Sequence, residues 1–95
     1  MPRYIIERNV PDIKGMTSEE LAEEINKGGK KSNEVLAGMT GVIWIRSYIS
    51  VAEGKIFCEY DAPNPEALLE HARRAGIPAD KISEVALEIC PAMFV

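Results

Sequence analysis

VIWIRSYISVAEGKIFCEYD, residues 42–61, decides the fold. Its first half is rich in β-branched and aromatic residues and is bounded by Gly41 and Gly54, as a strand should be. KIFCEYD at 55–61 follows after Ala52-Glu53-Gly54, a connection short enough to make the two runs an antiparallel hairpin. This hairpin is the centre of the chain, and elements of like kind lie on either side.

Upstream, RYIIERN at 3–9 reads as a strand that stops at Val10-Pro11, where proline would remove a ladder donor. Thr17-Ser18-Glu19-Glu20 gives a capping box, so a helix starts near Ser18. Leu21, Ile25, Gly28, Ser32, Val35, Leu36 and Met39 share one stripe at about 100° per residue. One helix to about Met39 is predicted, with its small residues facing the sheet; a helix broken at Gly28-Gly29 is the alternative. KGGKKS is not a phosphate loop, since Glu24 stands where that motif needs its first glycine and no strand precedes it.

Downstream, Asn64 as N-cap, Pro65 at the first helical position and Gly76 past the end delimit a second helix. Ile82 to Cys90, ISEVALEIC, reads as the last strand, stopped by Pro91. The order βαββαβ is the ferredoxin-like pattern: an α+β fold with a four-stranded antiparallel sheet and both helices on one face. Residues 1–95 read as one domain, without repeats or linkers.

Composition limits the function. With 46% hydrophobic and 27% charged residues and no long apolar run, the chain reads as a soluble globular protein rather than a membrane one. The N-terminus lacks a secretory pattern, so a cytoplasmic location is expected. A net charge of −4 argues against nucleic acid as a partner. Cys58 and Cys90, on strands expected to flank the first, would stand roughly 10 Å apart, beyond disulfide reach. Each is expected to be a buried thiol.

A sheet covered on one side exposes the other. Period-two alternation sends Ile43, Ile45, Ile49 and Val51 toward the helices and Trp44, Arg46, Tyr48 and Ser50 away from them. It likewise leaves Phe57, Glu59, Asp61, Glu84 and Glu88 on the open face, with Val85, Leu87 and Ile89 inside. Aromatics among charges mark an interface or a cleft, and a homodimer stacked on this face is expected. The apolar tail Cys90 to Val95 adds to the dimer or caps the core.

His71, the one histidine, lies at the boundary of the second helix's buried stripe. No paired-histidine spacing exists, so a metal site needs donors from distant strands or a second subunit; a hydrogen-bonded structural histidine is the competing reading. Arg73 and Arg74 suit the helix C-terminus. Glu7, Glu59, Asp61, Glu84 and Glu88 offer hard oxygen ligands or a general base, or are simply solvated or paired with Arg3, Arg8 or Arg46. No nucleophilic triad or dinucleotide fingerprint can be assigned by spacing.

PRYIIER at 2–8, WIRSYIS at 44–50 and the long block 55–85 resemble a family of small bacterial ferredoxin-like proteins, a domain of unknown function with some members described as nickel-binding. The most specific matches are Tyr60-Asp61-Ala62-Pro63, His71-Ala72 and Gly76-Ile77-Pro78-Ala79. Gly28-Gly29 departs from the pattern. The resemblance implies a dimeric fold and a Ni(II) site, with His71 the one residue carried over and Glu59 and Asp61 as its expected acidic partners. Imidazole with oxygen donors suits that ion. A small binding protein, homodimeric and nickel-binding, is the leading expectation. A cofactor-free enzyme working in a cleft of Trp44, Arg46, Tyr48 and Glu59, with Arg46 holding an anion and Glu59 or His71 moving a proton, is the alternative; a ligand-free interaction module is the third.

Overall fold

The computed structural model describes residues 1–95. It contains β1 (Arg3–Asn9), a 3-10 turn at Pro11–Ile13, α1 (Ser18–Ala37), β2 (Ile43–Ser50), β3 (Lys55–Asp61), α2 (Pro65–Ala75), β4 (Lys81–Glu84) and a 3-10 turn at Pro91–Phe94. The strands form one antiparallel sheet in the order β2-β3-β1-β4. The expected ferredoxin-like α+β fold is thus the fold observed.

Local chemistry sets the elements. Thr17 caps α1 in a full capping box with Glu20, and α1 runs unbroken through Gly28-Gly29. Asn64 accepts from the Ala67 N–H, Pro65 opens α2, and Gly76 closes it at φ +69. Leu68, His71, Ala72 and Ala75 form the buried face of α2. They meet Tyr4, Ile6, Cys58 and Tyr60, which face the helices from β1 and β3.

β2 departs from simple alternation. Trp44 stands opposite Tyr60 and Arg46 opposite Glu59, so Ile45 is an extra residue forming a bulge. Ahead of the bulge the phase is reversed. Trp44 shares the helix side with Tyr60, while Ile43 stands on the open face opposite Asp61 and is 52% exposed. Past the bulge Arg46, Tyr48 and Ser50 are outward and Ile49 inward, as alternation predicts. Placing Trp44 on the open face was therefore wrong by one residue of register, an irregularity that period counting cannot see. Val51 lies in the turn and not in the strand. Trp44 tucks under α1, where its Cη2 lies 3.8 Å from the point a Cβ on Gly29 would occupy.

β4 is shorter than predicted for a reason found in β1. The Val85 N–H donates to the Arg3 carbonyl at 2.8 Å, and Arg3 is the first residue of β1; the Pro2 carbonyl before it points to the other neighbour, accepting from Ala62. The ladder therefore ends at Val85, and residues 86–89 make no backbone hydrogen bond. Leu87 and Ile89, predicted inside, are 76% and 65% exposed, and Cys90 is exposed rather than buried. Glu84 pairs with Tyr4 on the helix side of the sheet, contrary to its expected outward position. Phe94 and Val95 are also exposed, so the tail does not cap the core.

Gly54 closes the β2–β3 turn at φ +64, and a Cβ there would lie 3.1 Å from the Pro11 backbone and from Lys14. Its carbonyl accepts the Val10 N–H at 2.7 Å, tying the hairpin to the end of β1. Gly54→Ala is expected to destabilise the fold by about 1–2 kcal/mol through backbone strain and crowding. A urea melt would show a lower midpoint at an unchanged slope; an unchanged midpoint would refute the role given to this turn.

Candidate functional site

The sheet divides the predicted site residues into two groups. Glu59 and Asp61 lie on the open face with Arg46, Tyr48 and Phe57. His71 lies on the other side, wholly buried between the helices and β3. The three expected metal donors therefore do not converge. No three of the chain's His, Cys, Asp and Glu side chains stand close enough together to share a metal ion.

The open-face carboxylates are already engaged. Arg3 holds Asp61 through Nε at 2.9 Å and Nη2 at 3.3 Å, and reaches Glu88 with Nη1 at 2.7 Å. The Arg3 hydrogen bond keeps the Asp61 carboxyl below its ordinary range. Glu7 accepts from Lys55 at 2.9 Å, and Glu59 faces Arg46 at 3.7 Å. With Trp44 on the helix side, the cleft proposed between Trp44, Arg46, Tyr48 and Glu59 does not form.

His71 is fully buried rather than at the boundary of the stripe, and Ser32 reaches it from α1. Its Nε2 lies 3.1 Å from Ser32 Oγ, and its ring is tilted against Tyr60 at 5.6 Å between centroids. Nδ1 has no partner. A hydroxyl on an imidazole is part of a nucleophile's apparatus, yet no carboxylate orients the ring from Nδ1, which leaves the dyad incomplete.

A second polar cluster lies beneath α1, and its central residue is Arg8, expected from the sequence as a partner for acidic side chains. Alternation from Tyr4 and Ile6 already places Arg8 on the helix side, and it is 3% exposed. Nε donates to Cys58 Sγ at 3.5 Å, Nη1 to the Pro78 carbonyl at 2.6 Å and Nη2 to Tyr60 Oη at 3.2 Å. Trp44 Nε1 donates to Ser47 Oγ at 2.9 Å, and Ser47 Oγ donates to Cys58 Sγ at 3.0 Å. Cys58 thus receives two donors. Burial raises the Tyr60 hydroxyl's pKa, with the Arg8 charge opposing.

This cluster lines a cavity. One lobe, about 110 Å³, is bounded by Trp44, Ser47, Ile49, Cys58 and Tyr60; the other, about 240 Å³, by Val10, Ile13, Glu24 and Pro78. Arg8, Ile25, Gly28, Ile56 and Ile77 border both. Where α1 carries Gly28 there is nothing to fill the space: a Cβ at Gly28 would meet no atom within 4 Å.

A family model described as nickel responsive protein SCO4226-like matches residues 4–85. Among solved structures, SCO4226 from Streptomyces coelicolor A3(2) is similar at a TM-score of 0.73 and 25% identity, over 92% of this chain and 99% of that one. No curated protein matches the chain.

Burial holds the His71 pKa below its ordinary 6.5, the Arg8 charge adds to this, and the Ser32 bond opposes it. A depressed folded-state value means that the unfolded chain takes up the proton first. The stability contributed by neutral His71 is present above about pH 6.5 and is lost as pH falls toward the folded-state value. His71→Gln is expected to flatten this part of a stability profile measured by urea unfolding between neutral and mildly acidic pH. Parallel profiles for the two proteins would contradict it.

Proposed function

The chain belongs to the SCO4226-like family of nickel responsive proteins, and we propose that it is a homodimeric, cytoplasmic binding protein that meets nickel(II) with donors from two copies. The observation that carries this reading is the separation of His71 from Glu59 and Asp61 by the sheet. One chain's donors do not fit the ion. Donors on the open face can be completed only from outside the chain.

A second copy is the partner that suits this face. Tyr48 and Ile43, 57% and 52% exposed, stand toward the two ends of β2 on this face with Arg46 between them, apolar groups that water does not favour. The charges around it are balanced within the chain, Arg3 with Asp61, Arg46 with Glu59 and Lys55 with Glu7. A twofold interface sets a surface against itself, and a neutralised surface meets its own image without net repulsion. At the opposite edge of the sheet the stretch after β4 exposes Leu87 and Ile89 and offers free backbone groups to a partner strand. No helix is long and apolar enough to cross a membrane.

The test combines light scattering with thermal unfolding of untagged protein. A dimer is expected at micromolar concentration, converted to monomer by Tyr48→Glu. Nickel(II) is expected to raise the melting temperature of the wild type and of His71→Ala by equal increments, because a ligand that binds only the folded state stabilises it by mass action. Glu59→Gln with Asp61→Asn should lose most of that increment. A monomeric wild type, or a nickel shift abolished by His71→Ala alone, would overturn the proposal.

A further inference from the structure

We propose that the cavity beneath α1 binds a small monocarboxylate with a compact apolar body, its carboxylate on Arg8. Arg8 is 3% exposed, and no carboxylate lies within salt-bridge distance of it. Its protein partners are the Cys58 sulfur, the Pro78 carbonyl and the Tyr60 hydroxyl, none of them a carboxylate. A buried cation without a counter-charge is costly, and an anion supplied from solution would offset that cost. Each terminal guanidinium nitrogen bears two N–H groups and spends one on the protein. The two that remain match the two oxygens of a carboxylate.

The walls define the rest of the ligand. Ile25, Ile56 and Ile77 border both lobes, and Ile49, on the helix side of the sheet, is still 36% exposed because the cavity leaves it uncovered. An apolar cavity of about 150 Å³ is known to take up benzene, so the lobe of about 240 Å³ has room for a single ring or a branched chain. Glu24 lines the larger lobe and disfavours a second negative charge. One buried cation with one acidic residue in the wall selects a monoanion over a phosphate dianion.

Gly28 borders both lobes and leaves the space beside it unfilled. Gly29 is explained by the Trp44 ring beside it, but a Cβ at Gly28 would touch nothing. Glycine inside a helix costs about 1 kcal/mol relative to alanine. Packing does not require that residue, whereas access to Arg8 does.

Benzoate is the probe, with benzyl alcohol as its neutral counterpart and inorganic phosphate as the dianion, followed by calorimetry and thermal unfolding of the full chain. Benzoate is expected to bind and raise the melting temperature, with benzyl alcohol and phosphate weaker by about tenfold or more. Gly28→Leu should fold with an undiminished melting temperature, since space exists for it, and bind benzoate at least about tenfold more weakly. Glu24→Gln should tighten benzoate, and Arg8→Gln should erase the preference for benzoate over benzyl alcohol. If Arg8→Gln fails to fold, Gly28→Leu and Glu24→Gln carry the test. Absence of benzoate binding, equal binding of benzoate and benzyl alcohol, or Gly28→Leu binding as wild type would overturn the proposal.

Discussion

A guanidinium buried under two helices without a carboxylate is the constraint around which this interior is arranged. Arg8 ties β1 to β3 through Cys58 and Tyr60, and ties the sheet to the segment after α2 through the Pro78 carbonyl. Its charge also helps keep His71 neutral. A neutral imidazole suits the place His71 occupies, since a second cation beside Arg8 would be repelled at short range in a medium that screens little. Ser32 completes the arrangement from α1. The buried polar groups thus act on one another, and the arginine sets their sign.

The sheet separates two kinds of chemistry. Beneath the helices lie one cation, a thiol, a phenol and hydroxyls; on the open face lie carboxylates matched with Arg3, Arg46 and Lys55. Hard cations would seek the second set and anions the first. Because a β-sheet is one residue thick, side chains on adjacent positions such as Glu59 and Tyr60 face opposite environments. Sequence proximity between the Tyr60-Asp61-Ala62-Pro63 block and His71 therefore says little about shared coordination.

The fold was legible because its signals are local and redundant. The capping box at Thr17, the Asn64, Pro65 and Gly76 punctuation, and the glycine-bounded hairpin each follow from backbone hydrogen bonding within a few residues. The site was less legible. The Ile45 bulge has no composition signature, so alternation counted from Arg46 backward put Trp44 on the wrong side. The end of β4 depends on where β1 begins, at Arg3, more than eighty positions away in sequence, and nothing near Leu87 or Ile89 announces it. Arg8 is a different kind of miss. Its phase with Tyr4 and Ile6 was readable, but the habit of placing arginine on the surface outweighed the pattern.

The glycine pair in α1 joins these strands of reasoning. Gly29 and Trp44 are complementary: a bulge rotates the indole inward, and a helix position without a side chain receives it. That contact closes one end of the space under α1. Gly28, one position earlier, borders both lobes of the space beside Arg8, and its lack of a side chain leaves that space unfilled. A larger residue there would fill the gap and raise helix propensity together. A position that forgoes both gains, directly over an uncompensated charge, has the character of an opening rather than a packing fault, because close-packed interiors seldom leave such space beside a buried ion without an occupant.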